Sequence, residues 1–223
     1  MRMFNADGSE AEMCGNGIRC VGKYVFDHGH IAQTTTTVET LGGIKILDLL
    51  VTAGKVSKVR VDMGEPILER SRIPMVGPAG RVVDESLLVD GQELRVTALS
   101  MGNPHCITFV DDIASAPVAT LGPRVEVAPQ FPRRTNVGFV QVRSRTEISV
   151  RVWERGSGET LACGTGTCAS VVASHLCGHT DKQVLVHLRG GDLDIDLAEN
   201  GRVYMTGPAT EVYTGILAPG GIA

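Results

Sequence analysis

The chain has 223 residues, with 21 lysines and arginines against 25 aspartates and glutamates, and a formal net charge of -4. Its 43% hydrophobic and 21% charged residues are typical of a globular protein, and the length suits one large domain or two small ones. The near-balanced charge gives no electrostatic reason to bind nucleic acid or an anionic membrane, and 4% aromatic residues are too few for a base-stacking surface.

The start of the chain and its cysteines indicate a reducing compartment. Arg2 and Asp7 carry charge near the first residue, which is unlike a signal peptide, and no apolar run approaches the roughly 18 residues of a membrane helix. We therefore predict a cytoplasmic protein whose six cysteines stay mostly reduced. Their spacing contains no CxxC pair, so we predict neither a structural zinc site nor a redox motif.

The predicted elements begin with a short strand that ends at Phe4, followed by a polar, glycine-rich loop and the motif CGNG at residues 14–17. Apolar residues at helical spacing then predict a helix that Gly29 ends. These residues are Ile18, Val21 and Val25. The glycine pair in LGGIKILDL predicts a hairpin, and VRVDMGEP predicts the strand that closes this unit.

The second part of the chain has further strands, LRVTALS, HCITFV, TNVGFVQV and EISVRVWE, before a similar loop and the motif CGTG at residues 163–166. A second helix is predicted from the spacing of its apolar residues, with Gly178 at its end. These residues are Cys168, Val171, Val172 and Leu176. HLRGGDLDIDL predicts another hairpin, and VYMTGP predicts a closing strand.

The two units are an internal repeat. A shift of 149 residues superposes Cys14 on Cys163, Phe4 on Trp153 and the glycines that follow each cysteine. We predict an α+β fold of two pseudo-symmetric halves, 1–85 and 86–223, each a bent, mostly antiparallel sheet wrapped around a central helix. The closing strands at the C-terminal end are expected to join the first half, which lacks the early strands of the second.

A cysteine directly before Gly-x-Gly at a helix start has specific chemistry. The first N–H groups of a helix have no partner within the helix, and the helix dipole adds positive potential there. We expect both effects to lower the thiol pKa toward neutrality and to create a cradle for a carboxylate. Each half would therefore supply a reactive thiol beside an anion site.

If the two helix starts converge on one cleft, Cys14 and Cys163 would flank one carbon next to a bound carboxylate. One thiolate would remove the α-proton and the opposite thiol would deliver a proton to the other face, which inverts the centre. This two-base scheme needs no metal or organic cofactor. Two alternatives stay open for Cys14 and Cys163: they could have a purely structural role as small hydrophobic residues, or they could form an inactivating disulfide. The remaining cysteines, Cys20, Cys106, Cys168 and Cys177, are interpreted as small hydrophobic residues.

Four sequence blocks resemble the diaminopimelate epimerase family. They are FNADGSEAEMCGNGIRC, RVWERGSGETLACGTGTCAS, MGNPHC (101–106) and RTNVGFV (134–140). The resemblance as a whole extends over essentially the entire chain. Proline racemases share the two cysteines but typically carry His at the position of Asn16, and phenazine-pathway isomerases lack the cysteine pair. The family normally begins with a further segment of about sixty residues, so the resemblance implies that this chain is shortened at its N-terminus.

The resemblance implies a cofactor-independent enzyme of lysine and peptidoglycan-precursor biosynthesis, with Cys14 and Cys163 as its acid–base pair and with no metal. Gly15, Asn16, Gly164 and Thr165 would hold the reacting carboxylate through their backbone N–H groups. Asn5, Asn103, Asn136 and Arg155 would hold the distal end of the amino acid, where a guanidinium suits a carboxylate. Glu154 and His105 would lie near the thiols and help set their protonation.

Without the family, several of these residues have plainer interpretations. Asn103 and Asn136 are also typical of turns, Glu154 and Arg155 could be an exposed pair, and His105 could be a buried imidazole. We therefore keep two alternatives to the epimerisation of LL-diaminopimelate to the meso form. One is a proline or hydroxyproline racemase, and the other is an impaired fragment that only binds small amino-acid anions. The expected partner is a small-molecule substrate, and a homodimer is the expected assembly.

Overall fold

The structure, a computed structural model, describes residues 1–4, 8, 10 and 13–216 of the chain. Most of this part consists of strands, with three α-helices and a short 3-10 turn at Arg70–Arg72. The helices are α1 (Gly15–Asp27), α2 (Val118–Glu126) and α3 (Gly164–Leu176). The strands are β1 (Thr35–Thr40), β2 (Gly43–Thr52), β3 (Lys55–Gly64), β4 (Val82–Val89), β5 (Gln92–Ser100), β6 (Pro104–Phe109), β7 (Asn136–Ser144), β8 (Glu147–Glu154), β9 (Gly158–Thr160), β10 (Gln183–Leu188), β11 (Gly191–Leu197) and β12 (Val203–Pro208).

One continuous sheet runs through both parts of the chain in the order β1-β2-β3-β12-β11-β10-β8-β7-β6-β5-β4, with β9 paired to β8. Only the pairs β6–β7 and β8–β10 are parallel among the described strands. The last strand, β12, lies between β3 and β11, so the end of the chain completes the sheet next to α1. The predicted α+β fold with a mostly antiparallel sheet is confirmed.

Both predicted hairpins are confirmed. Strands β1 and β2 pair up to Thr40 opposite Gly43, and β10 and β11 pair up to Leu188 opposite Gly191. Gly29 and Gly178, just after α1 and α3, have φ angles of 73° and 75°, which a glycine adopts without steric cost.

Helix α1 buries one stripe, Gly15, Ile18, Arg19 and Gly22, at the i, i+3, i+4, i+7 spacing. Ile18 is fully buried as the spacing predicts, whereas Val21 and Val25 are half-buried. A Cβ at Gly22 would lie 2.8 Å from Leu47 Cδ2, so this glycine lets α1 approach β2 closely. Helix α3 differs, because every residue from 164 to 174 is buried beneath the sheet.

The sequence did not predict α2, so the expectation of one helix per half is incomplete. Gly122 and Pro123 within it are unfavourable for a helix, which explains the missing signal. The helix is stabilised by packing, because Val118, Leu121 and Val125 are buried in a second core on the sheet with Phe139.

The predicted division of the chain after residue 85 falls inside β4 and stays a prediction. Among the described residues, no helix is long and apolar enough to cross a membrane.

Candidate active site

Both repeated cysteines are N-cap residues. Cys14 precedes α1 with φ and ψ of -129° and 115°, and Cys163 precedes α3 with -123° and 112°. The Cys14 Sγ accepts a hydrogen bond from the Gly17 N–H at 3.3 Å, and the Cys163 Sγ accepts one from the Gly166 N–H at 3.4 Å. The sequence repeat is therefore also a repeat of local geometry, in which each sulfur points at the open N–H groups of a helix start.

The two helix starts touch each other. A Cβ built on Gly15 would lie 3.2 Å from the Gly164 Cα, and one built on Gly164 would lie 3.1 Å from the Gly15 Cα. Met205 of β12 lies beneath both, with its Cε 2.9 Å from the Gly15 Cβ position. Glycine is required at both positions because any side chain would separate the helices.

A cavity of about 150 Å³ lies at this contact. The two cysteines, both free thiols, line it together with most of the other predicted residues. Its lining consists of Met3, Met13, Cys14, Gly15, Asn16, Asn103, Asn136, Glu154, Arg155, Ser157, Ala162, Cys163, Gly164 and Thr165. The structure thus brings residues from four separate parts of the sequence to one cavity, and the alternative disulfide is not formed.

The two thiols have different surroundings, since Cys14 is half-buried and Cys163 is only 5% exposed. Burial, and after it the charge of the Glu154 carboxylate, raise the pKa of the Cys163 thiol to about 12. The Gly166 N–H and the Thr165 hydroxyl lower the pKa but do not outweigh burial. The expectation of a thiol pKa near neutrality is therefore wrong for Cys163, which is protonated at pH 7.

A chain of hydrogen bonds leads from Cys163 into the protein interior. The Thr165 Oγ1 lies 3.6 Å from the Cys163 Sγ and accepts a hydrogen bond from the Asn103 Nδ2 at 3.2 Å. The Asn103 Oδ1 in turn lies 3.0 Å from the Nε2 of the fully buried His105. Since a carbonyl oxygen can only accept, the Nε2 carries the proton. His105 thus lies beneath the cavity and orients Asn103.

The buried position of His105 makes the stability of the protein sensitive to acid. Burial, and after it the charge of Arg155, lower the pKa of His105 from 6.5 to about 3. Between these two values the unfolded chain binds a proton that the folded chain does not bind, so this group destabilises the fold as the pH falls below 6.5.

For His105→Gln we expect this acid sensitivity to disappear. When the pH is lowered from 7 to 4.5, the free energy of unfolding of wild type should fall by about 2 kcal/mol more than that of the variant. Urea denaturation at several pH values measures this difference. A difference between wild type and variant that is the same at every pH would contradict the prediction.

Glu154, the last residue of β8, and Arg155, the first residue of the loop after it, line the cavity. The Asn136 amide connects this loop to β6, because its Oδ1 accepts from the Arg155 N–H at 2.9 Å and its Nδ2 donates to the Pro104 carbonyl at 2.8 Å. The Glu154 carboxylate accepts a hydrogen bond from the Thr160 hydroxyl. Glu154 and Arg155 are thus not an isolated surface pair, and both lie where a ligand in the cavity could contact them.

Asn16 faces the cavity from α1. Its Nδ2 donates to the Ala162 carbonyl at 3.2 Å, which connects the first helix to the residue before Cys163. Its buried Oδ1 has no hydrogen-bond partner among the described residues, so it is available to a donor in the cavity. Asn5, which was predicted to bind the substrate, lies outside the described residues. The roles assigned to the site residues stay predictions.

Sequence reasoning missed Arg19, which lies next to the site. Arg19, which is 7% exposed, donates from its Nη1 to the Gly15 carbonyl at 2.9 Å and from its Nε to the Pro208 carbonyl at 3.2 Å, so it ties the start of α1 to β12. Its position in the buried stripe of α1 could have indicated burial, but a charged residue is normally assigned to the surface. The interpretation of Cys20 as a buried hydrophobic residue is also wrong, because Cys20 lies on the exposed face of α1.

A sequence model described as diaminopimelate epimerase matches residues 1–69 and 97–212. This chain belongs to the diaminopimelate epimerase family. The diaminopimelate epimerase of Pelotomaculum thermopropionicum is 59% identical over 215 residues, which cover 96% of this chain and 77% of that protein. The diaminopimelate epimerase of Heliobacterium modesticaldum is 59% identical over 218 residues, which cover 97% of this chain and 78% of that protein. The family resemblance predicted from the four sequence blocks is confirmed.

Solved structures with lower sequence identity share the fold of this chain. A probable proline racemase from Agrobacterium radiobacter K84 superposes with a TM-score of 0.70 at 16% identity, covering 98% of this chain and 72% of that one. A hydroxyproline epimerase from Agrobacterium vitis superposes with a TM-score of 0.67 at 16% identity, covering 93% of this chain and 67% of that one. At this identity the similarity concerns the fold alone.

Proposed function

We propose that this chain epimerises LL-2,6-diaminopimelate to meso-diaminopimelate by a two-cysteine, two-base reaction. The observation that carries the proposal is the placement of Cys14 and Cys163 as N-caps of two touching helices on one cavity. Membership of the diaminopimelate epimerase family supports the same substrate.

In this reaction the carboxylate next to the reacting carbon would bind between the two helix starts. The backbone N–H groups of Gly15 and Asn16 on one side, and of Gly164 and Thr165 on the other, belong to the first turns of α1 and α3, whose N–H groups have no partner within the helix. Removal of the α-proton moves negative charge onto the carboxylate oxygens. Because the same N–H groups would stabilise that charge, the barrier to proton removal falls.

The two thiols would exchange one proton for another across the substrate. With Cys163 protonated, the Cys14 thiolate takes the α-proton, and its lone pair forms the new S–H bond while the C–H electrons enter the enediolate. The Cys163 thiol then protonates the opposite face of the carbon and becomes the thiolate. In the reverse direction the roles are exchanged, so that the Cys163 thiolate takes the α-proton and the Cys14 thiol delivers one to the opposite face.

The distal end of the substrate would lie toward the loop that carries Arg155. Its guanidinium matches the geometry of a carboxylate, Asn136 contacts the Arg155 N–H, and Asn103 also lines the cavity. A dicarboxylate would therefore be preferred to an amino acid without a second carboxylate.

Incubation with LL-diaminopimelate in D2O tests the proposal. We expect deuterium at the α-carbon together with formation of the meso isomer. L-Proline and trans-4-hydroxy-L-proline are assayed in parallel, and preferential inversion of either would favour the racemase alternative. Calorimetric binding of diaminopimelate without α-proton exchange would favour the impaired fragment.

We also propose that two copies of the chain associate through the segment 209–216. Within it Val212, Tyr213 and Ile216 are 84%, 85% and 100% exposed, an unusual cluster of apolar side chains that the segment cannot bury by itself. The same segment forms a groove with Tyr24 of α1, and this groove could receive the segment 209–216 of the second copy.

The proposed reaction is a cytoplasmic one, since it requires free thiols that the cytoplasm keeps reduced.

For Tyr213→Ser we expect sedimentation velocity to show a shift from dimer to monomer at micromolar concentration. Ile44→Ser is the matched control, because Ile44 is 72% exposed on β2 outside this segment. An unchanged sedimentation coefficient in the Tyr213 variant, or a monomeric wild type, would contradict the proposed dimer.

A further inference from the structure

Glu126, the last residue of α2, is a buried carboxylate that does not line the cavity. Its side chain is 8% exposed. The Oε2 accepts a hydrogen bond from the Trp153 Nε1 at 2.7 Å, and the Oε1 accepts one from the Gly156 N–H at 3.0 Å. The exposed Arg134 guanidinium approaches the Oε1 at 3.6 Å.

The two hydrogen bonds of Glu126 lie on either side of the Glu154–Arg155 dipeptide. The Arg155 N–H between them donates to the Asn136 Oδ1 at 2.9 Å, and the Arg155 Nη1 donates to the Arg133 carbonyl at 3.3 Å. The loop is therefore held through the Trp153 side chain before it and through the backbone N–H groups of Arg155 and Gly156. Of these contacts, only those of Glu126 are made by a charged acceptor, and such hydrogen bonds are about twice as strong as neutral ones.

Helix α2 gives Glu126 a rigid base. A Cβ at Gly122 would lie 2.7 Å from both the Cβ and the Cγ of Trp153, so the helix backbone packs directly on this side chain. Val118, Leu121 and Val125 lie on the same buried stripe as Gly122, in the second core against which Trp153 also packs. The position of the carboxylate is therefore set by core packing, and the loop that carries Arg155 follows that position.

We propose that Glu126 is a positioning residue that presets Arg155 for the distal carboxylate of the substrate. This inference rests on the proposed function for its substrate, but the placement of the loop does not depend on the reaction. Preorganisation of this kind lowers the cost of ordering a charged loop when the ligand binds.

The variant Glu126→Gln tests the positioning directly. The glutamine amide can accept from one of the two donors, but its NH2 group then faces the other donor. Because glutamine can keep either donor, Glu126→Ala, which removes both acceptors, is measured beside it. For the alanine variant we expect amide hydrogen exchange at Gly156 to become at least tenfold faster, while exchange in α3 stays unchanged. Equal exchange at Gly156 in the alanine variant and wild type would overturn the inference whether or not the chain is an epimerase.

The kinetic test uses a double-mutant cycle with Arg155→Ala. For Glu126→Gln alone we expect kcat/KM for LL-diaminopimelate to fall about tenfold, mostly through KM, since only binding of the distal end is weakened. In the Arg155→Ala background the same change should have almost no further effect. Equal losses in both backgrounds would overturn the inference, because Glu126 would then act independently of Arg155.

Glu85→Gln is the matched control. Its carboxylate accepts from the buried Arg70 at 2.7 and 2.6 Å, remote from the Glu154–Arg155 loop. This variant should affect stability without changing KM or exchange at Gly156, and a rise in KM equal to that of Glu126→Gln would show a general structural effect and refute positioning. Absence of α-proton exchange in wild type would refute the proposed function, while exchange at Gly156 would still decide the role of Glu126.

Discussion

Replacement of either Cys14 or Cys163 by alanine is expected to lower the rate of diaminopimelate epimerisation by about a thousandfold or more. In the proposed reaction each thiol serves a different face of the reacting carbon, so neither can replace the other. Both variants should remain folded, because each loses only one N-cap acceptor, that of Gly17 or Gly166. Conversion of LL- to meso-diaminopimelate, followed by chromatography of the isomers, measures the effect.

Cys20→Ala is the control for this experiment. Cys20 lies on the exposed face of α1, six residues beyond Cys14, and does not line the cavity. We expect its activity to equal that of wild type. Full activity in either the Cys14 or the Cys163 variant would refute the two-base reaction.

Gly164→Ala is expected to damage both stability and activity. The added Cβ would lie 3.1 Å from the Gly15 Cα and 3.2 Å from the Met205 Sδ, which is closer than side chains normally pack. Because one contact is with backbone, α1 and α3 must move apart by a few tenths of an ångström. We expect a loss of about 1–3 kcal/mol in the free energy of unfolding and a fall in kcat of about tenfold to a hundredfold, since the two thiols no longer match the substrate.

Gly17→Ala is the control for the stability part of this prediction. Its Cβ would meet no atom closer than 3.6 Å, the ordinary distance of van der Waals contact, in the same helix start. Denaturant unfolding should therefore show little loss for this variant, and alanine even favours the helix. A Gly164→Ala protein as stable and as active as wild type would show that close contact between the helices is not required.

Much of the fold could be predicted because it depends on local patterns. The glycine pairs predicted both hairpins, the apolar spacing predicted α1 and α3, and the repeat placed Cys14 and Cys163 at equivalent N-caps. Helix α2 could not be predicted, because Gly122 and Pro123 oppose helix formation and only packing against the second core stabilises it. Glu126 was missed for the same reason, as its function depends on a helix that has no local signal.

By itself the sequence determined the chemistry available to this protein: two thiols at helix starts, glycines beside them, and a guanidinium in the loop before the second cysteine. Those features are local, because they depend on neighbouring residues in the sequence and not on how the rest of the chain folds. Only the tertiary structure decided that the two helices touch at Gly15 and Gly164, and that Cys163 is more deeply buried than Cys14. Burial is a property of all surrounding elements together, and for Cys163 it outweighs the helix-start effect that the local sequence predicts.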